Sequence, residues 1–235
     1  MEFVTICAML GAGLAIGLGS IGSAVGEGYI AMKAAESLGR QPGASQKTLR
    51  IMIIGQAVTE TAAIFALVIA LILIFGAGGT TFMKGITYIA AGIAIGCGTI
   101  GSGFGAGLPG GSCMEGIGRN PENADALTVQ MIIGQAVTQT STIFALTVAL
   151  ILITLNPEYS FIKIFAILGG GIAMGFGAIG PGIGDGLVAK NANLAVGRDP
   201  QNMGLLTRTM IIGQAITETT DIYALVVALI LIFVV

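Results

Sequence analysis

The chain has 235 residues, 54% of them hydrophobic and only 9% charged, with a formal net charge of −2. Soluble domains carry about 25% charged residues, so this is a membrane protein, and its near-neutral balance leaves no basic footprint for nucleic acid. There is no His and no Trp, and Cys7, Cys97 and Cys113 lack CxxC or metal-ligand spacing, which excludes histidine catalysis, zinc sites and a disulfide framework.

The amino terminus carries Glu2 where a signal peptide has a basic region. Its apolar stretch runs on through Gly19 without a clear cleavage site, so it is expected as mature helix. Glycines follow at 13, 17, 19, 22, 26 and 28. Each would cost about 1 kcal/mol relative to Ala in a soluble helix, but in a membrane small residues let helix backbones approach closely. Arg40, Gln41 and Pro42 then form a polar turn, where proline stops one helix and permits the next. Ile51 to Phe75 exceeds the ~20 apolar residues that span a bilayer, and Gly76 to Gly79 ends the segment.

The pattern is then repeated twice. Glycines recur at 92, 96, 98, 101, 105 and 107 and at 171, 175, 177, 180, 184 and 186, and the turn recurs as Arg119, Asn120, Pro121 and as Arg198, Asp199, Pro200. Leu127 to Leu155 and Leu205 to Val235 are the later apolar spans, with a break at Asn156, Pro157 and Glu158. Internal repeats outrank other readings of a sequence. The expectation is an all-α membrane protein of six transmembrane helices in three tandem antiparallel hairpins, with domains at 1–76, 77–155 and 156–235.

Eight of the ten basic residues (Lys33, Arg40, Lys47, Arg50, Arg119, Lys190, Arg198, Arg208) flank the Arg-x-Pro turns, and only Lys84 and Lys163 lie at the opposite ends. The positive-inside rule puts the turns in the cytoplasm and both termini outside. The glycine stripes could pack a compact six-helix bundle. Repetition favours the alternative, hairpins side by side with an inner layer of Gly-rich helices, because heterologous contacts that close make rings.

One phrase recurs at intervals of 79 residues. It is Gly-Gln-Ala-Val-Thr-Glu-Thr at 55–61, the same with Gln139 for the acid at 134–140, and Gly-Gln-Ala-Ile-Thr-Glu-Thr at 213–219. An acid within an apolar helix is costly and by default functional. Counting from the turn, Glu27 reaches a depth similar to that of Glu60. The corresponding pairs are Ala106 with Gln139 and Asp185 with Glu218, so both acids are present or absent together. Two adjacent carboxylates cannot both stay ionised in a low dielectric without a cation; they share a proton, bind Na⁺, or do both. Thr61 and Thr219 follow the acids, and hydroxyl and carbonyl oxygens suit a hard cation. Asp221 has no acidic counterpart, with Ala63 and Thr142 in its place, and either supports Glu218 or faces lipid or a stator.

With its Gly-rich first helix, Arg-Gln-Pro loop and Gly-Gln-Ala-Val-Thr-Glu-Thr phrase, each repeat resembles the c subunit, or proteolipid, of the rotor ring of rotary ATP synthases, and closely resembles the sodium-translocating F-type form. The resemblance covers essentially the whole chain. It implies a two-layered ring in a prokaryotic plasma membrane, built from c subunits that include single-hairpin forms or not. The ring turns against a stator a subunit and surrounding lipid, with the Arg-x-Pro loops on the central stalk and no organic cofactor. It also implies that the chain is a non-catalytic subunit whose ion, Na⁺ or else H⁺, is held by Glu60, Thr61, the Val58 carbonyl and Glu27. In the third hairpin the set is Glu218, Thr219, the Ile216 carbonyl and Asp185, with Tyr223 supporting Glu218 where the other repeats have Phe65 and Phe144.

Ala106 and Gln139 mark a lost site, because an amide neither releases a proton nor balances Na⁺. Two ions per chain are therefore expected. The fusion also fits a V- or A-type proteolipid. A secondary transporter is disfavoured because its repeats are commonly inverted, and a channel or purely structural proteolipid leaves the paired acids unexplained.

Overall fold

The computed structural model describes residues 2–76 and 78–234; the expected domain limits at Met1, Ala77 and Val235 lie outside the described residues. Helix α1 spans Glu2–Arg40, α2 Ser45–Phe75, α3 Phe82–Arg119, α4 Ala124–Thr138, α5 Thr140–Thr154, α6 Phe161–Gly177, α7 Ile179–Arg198 and α8 Met203–Phe233. Helices α4 and α5 are two segments of one span, as are α6 and α7, so six stretches are long and apolar enough to cross a membrane. No strand occurs among the described residues.

Each Arg-x-Pro turn has the same construction. Arg40, Arg119 and Arg198 end the first helix of their hairpins, and the proline opens a single 3-10 turn, Pro42–Ala44, Pro121–Asn123 or Pro200–Asn202. Proline suits that position because its missing N–H would have had no helical partner there. In the second turn the Asn120 side chain accepts from the Glu122 N–H at 3.1 Å.

The two interruptions have local causes. Pro181 has no N–H to give the Gly177 carbonyl, and the helix breaks at Ala178. The corresponding Ser23 and Ser102 lie in unbroken helices. At Gln139 the Thr140 hydroxyl bonds back to the Val137 carbonyl, a contact that bends helices.

The first helices of the hairpins form an inner row, with α3 between α1 and the α6–α7 helix; the second helices form an outer row. Glycine sets how close the inner helices come. A methyl on Gly92 would stand 2.2 Å from the Gly11 carbonyl oxygen, and one on Gly171 2.5 Å from that of Ala90. The α1–α3 contact is thus repeated by α3 and α6. Gly13, equivalent to Gly92, has nothing within 4 Å, and neither does Gly180, equivalent to the tightly packed Gly22 and Gly101. These hairpins form an open, two-layered arc with complementary ends, in place of a closed six-helix bundle.

Two apolar clusters fill the arc. One includes Val4, Ile69, Ile95, Leu152 and Ile167 near the termini, and the other includes Ile30, Met114, Leu127 and Met131 near the turns. The polar phrase lies between them in sequence on the second helix of each hairpin, so apolar packing brackets it on both sides.

Lys84 closes the terminal end. It is 6% exposed, and its Nζ donates to the Ile153 carbonyl at 2.6 Å and the Leu155 carbonyl at 2.8 Å, satisfying carbonyls at a helix C-terminus.

Candidate ion-binding site

The glutamine of the repeated phrase positions the site. Gln135 donates through Nε2 to the Ala106 carbonyl of its own hairpin at 2.9 Å and to the Gly55 carbonyl of the preceding hairpin at 3.0 Å. Gln214 repeats this with Asp185 at 3.3 Å and Gly134 at 3.1 Å. Gln56 keeps the bond within its hairpin, to the Glu27 carbonyl at 3.2 Å, but no preceding hairpin stands beside it in this chain. These bonds fix the second helix against its own first helix and against its neighbour, at the level of the acids.

The seam between the second and third hairpins holds the acids of the third. Glu218 is half-buried and accepts from the Thr140 hydroxyl of the second hairpin, whose single proton is shared with the Val137 carbonyl. Asp185, on α7, is 0% exposed and close enough to Glu218 and Asp221 to interact electrostatically with both. Neither Asp185 carboxylate oxygen has a well-formed hydrogen bond, because the neighbouring Thr217 hydroxyl gives its proton to the Gly213 carbonyl at 2.9 Å.

The seam between the first and second hairpins has the same frame without acids. Gln139 is 7% exposed and donates through Nε2 to the Val58 carbonyl at 3.0 Å. Its Oε1 accepts from Thr142 at 3.4 Å, and Thr142 in turn is hydrogen-bonded to Ser102. The amide nitrogen thus contacts a carbonyl that would otherwise be available to a cation, and Gln139, Thr142 and Ser102 close the place of the acids with hydrogen bonds of their own, leaving Gln135 Oε1 as a buried oxygen without a partner. Ala106 stands where the other repeats have an acid.

The sequence pattern grouped each acid with the hydroxyl and carbonyl of its own phrase, and the structure groups them differently. Glu218 meets Thr140 of the preceding hairpin. Thr219 is exposed, with its hydroxyl turned back to the Ile216 carbonyl at 2.7 Å, and Ile216 is also exposed. Tyr223 is 66% exposed and makes no hydrogen bond to Glu218. Val58 faces Gln139, while Thr61 donates to the Ala57 carbonyl at 3.4 Å. Glu27 and Glu60 come within electrostatic reach of each other, with Glu60 exposed at the open end of the arc. The physical reason is the packing: neighbouring hairpins lie side by side, so the hydroxyl opposite an acid comes from one repeat earlier.

Thr140, Val137 and the glutamines at 56, 135 and 214 were not among the expected site residues. The signal for them was present in the phrase itself, which repeats its Gln and second Thr in all three copies. Asp221 is 0% exposed, which removes the lipid- or stator-facing alternative. Among the described residues, no three His, Cys, Asp or Glu side chains converge on a metal position, so any cation here takes hydroxyl and carbonyl oxygens as well.

Membrane hairpins laid side by side on glycine seams, with carboxylates and hydroxyls meeting in those seams, define the class of membrane-embedded, ion-translocating proteolipids. The family of the ATP synthase c subunit matches residues 10–73, 89–152 and 168–231, and the chain belongs to that family. It is similar to the ATP synthase c subunit of Petrotoga mobilis, at 53% identity over 68 residues, which are 29% of this chain and 71% of that protein. It is also similar to the ATP synthase c subunit of Alkaliphilus oremlandii, at 54% identity over 28% of this chain and 74% of the relative. That of Natranaerobius thermophilus is 50% identical over 32% and 85%. Each alignment takes in most of the relative but less than a third of this chain, about the length of one hairpin. The protein is a c subunit, the proteolipid of the rotor ring, with three hairpins fused in one chain.

Proposed function

We propose that this proteolipid translocates two Na⁺ ions per chain, one on Glu218 with Asp185 and one on Glu60 with Glu27, while the middle hairpin serves as a spacer. The observation that carries this reading is the contrast between the seams. Glu218 takes a hydroxyl from across the seam beside a fully buried Asp185 that lacks a well-formed hydrogen bond, whereas Gln139 fills the equivalent place with an amide. Carboxylate, hydroxyl and carbonyl oxygens together suit Na⁺. In the absence of a cation, protonation is the means by which the pair avoids two buried charges.

Each site spans two hairpins, so the site of Glu60 is completed by a neighbouring hairpin outside the chain. In a ring of identical chains that neighbour offers Thr219, the Ile216 carbonyl and the edge carrying Tyr223, all exposed at the other end of the arc. A single-hairpin proteolipid would meet the same edge. Each loaded acid rides past lipid and discharges at a stator a subunit. The turns Arg40–Gln41–Pro42, Arg119–Asn120–Pro121 and Arg198–Asp199–Pro200 face the cytoplasm and the central stalk, with the termini outside the cell.

The spacer has an energetic consequence. A membrane potential delivers about 2.3 kcal/mol per charge per 100 mV. Two charges across three hairpins lower the driving energy per turn by a third relative to a fully charged ring of the same size. This favours pumping of ions by ATP hydrolysis, or synthesis only at a large potential.

The test is carbodiimide modification of the purified ring. Na⁺ should protect Glu60 and Glu218 at a pH at which both react, and the second hairpin should remain unmodified. Absence of Na⁺ protection would assign the sites to protons, and modification in the second hairpin would end the spacer reading.

A further inference from the structure

The two acidic sites of this chain are not built alike. Position 221 is Asp in the third repeat, against Ala63 in the first and Thr142 in the second. In the second hairpin the Thr142 hydroxyl is paired with Ser102 on the first helix. The residue corresponding to Ser102 in the third hairpin is Pro181, which has no polar side chain, so Asp221 meets no donor from its own hairpin. Asp221 is 0% exposed, and the donor facing it is the Ser141 hydroxyl across the seam, also 0% exposed. One hydroxyl leaves the remaining acceptor capacity of the carboxylate unfilled.

Buried polar atoms are nearly always satisfied, and unsatisfied ones call for an explanation. At this seam the under-satisfied atoms are carboxylate oxygens of Asp185 and Asp221, whereas the acid-free seam between the first and second hairpins is bonded through Gln139, Thr142 and Ser102 and leaves the neutral Gln135 Oε1 open. The difference between the seams is the carboxylates, so the missing partner at the second seam is a positive species. Asp221 interacts electrostatically with both Glu218 and Asp185. It does not converge with them on one point, so it acts through the field at those two residues and through their placement, outside the ligand set. No basic side chain interacts with this cluster among the described residues.

We propose that Asp221 makes the site of Glu218 hold its cation more tightly than the site of Glu60, so that each chain carries one tight and one ordinary ion site. This rests on the reading of Glu60 and Glu218 as cation carriers. A third carboxylate near a hard cation strengthens binding, as charge count does in oxygen-ligated sites generally. Glu60 has no such neighbour, since Ala63 stands in the place of Asp221. A rotor with alternating tight and ordinary sites meets unequal discharge steps at the stator, and the tight site sets the lowest Na⁺ concentration at which the ring stays loaded.

The experiment titrates Na⁺ against carbodiimide modification in the purified ring of full chains, at an alkaline pH where proton competition is weakest. Modification of Glu60 and of Glu218 is read separately by peptide mass spectrometry. In the unmodified sequence, Glu218 should be protected at a Na⁺ concentration about tenfold below that for Glu60. Asp221→Asn should bring the two midpoints together without moving that of Glu60, and Asp221→Glu should restore the gap. Asp221→Thr, which installs the residue of the second repeat, provides the same comparison should the Asn variant fail to assemble. Equal midpoints in the unmodified ring, or a gap that survives loss of the charge, overturn the proposal and leave the carrier reading standing. Absence of Na⁺ protection at both glutamates overturns the carrier reading and the proposal together.

Discussion

Gln139 Nε2 donates to the Val58 carbonyl at 3.0 Å across the seam between the first two hairpins. The residue that replaces an acid is therefore itself a bonded component of the seam, filling the space with a neutral donor. Gln139→Glu should remove that donor and expose the carbonyl to a cation, with Thr61 at the position that Thr140 takes in the next seam. Ala106 supplies no second acid, so the new site should be weaker than that of Glu60. The expected result is a third carbodiimide-reactive residue per chain, protected only at higher Na⁺. An unreactive Glu at 139 would mean that the seam stays closed.

The crossing of Thr140 to Glu218 gives a prediction that separates this geometry from a site contained within one phrase. Thr140→Ala should raise the Na⁺ concentration needed to protect Glu218 by about tenfold, the loss of roughly one net hydrogen-bond or ligand contact of 1–1.5 kcal/mol. Thr61→Ala should leave Glu218 unchanged and move Glu60 little, because Thr61 belongs to the seam of Gln139. If Thr61→Ala weakened Glu60 as strongly as Thr140→Ala weakens Glu218, each acid would be using the hydroxyl of its own hairpin.

Much of this architecture was legible in the sequence. The 79-residue period exposed three hairpins, the Arg-x-Pro triplets marked where they turn, and the joint loss of acids at 106 and 139 singled out the middle copy. What the period could not supply was which repeat completes which site. Gln135 with Gly55, Gln139 with Val58, and Thr140 with Glu218 are separated by close to one full period. A period detects equivalent residues, but the offset at which neighbouring helices dock depends on glycine contacts such as Gly105 against Gly182. The burial of Asp221 was hidden for a related reason: a residue near the outer surface of an isolated hairpin becomes interior only when the preceding hairpin brings Ser141 against it.

Lys84 offers a test of stability away from the ions. Its ammonium satisfies the Ile153 and Leu155 carbonyls, and charged hydrogen bonds of this kind contribute about 1.5–3 kcal/mol. Lys84→Met should lower thermal stability in detergent by an amount in that range. Lys163, one period later, is only half-buried and caps no carbonyl, so Lys163→Met should change stability by less than about 0.5 kcal/mol. Equal effects would show that charge at this membrane face matters more than the cap.

The free ends of the arc predict how assembly fails. Gly92 and Gly171 each lie against the backbone of the preceding hairpin, while Gly13 has open space in front of it. If the ring closes by the same contact, Gly13 lies against the third hairpin of another chain or against a single-hairpin proteolipid. Gly13→Leu should then leave the fold of the chain intact, as read by its helical content and the thermal stability of the monomer, and abolish closed rings on native gels. Gly92→Leu should be worse, since its side chain would drive α3 away from the Gly11 carbonyl within the chain and disturb the three hairpins themselves. A ring that forms normally with Leu at position 13 would mean that the end of α1 meets its neighbour by a different surface. In that case the two seams inside the chain would not be a guide to the seam between chains, and the site of Glu60 would need other partners than Thr219 and Ile216.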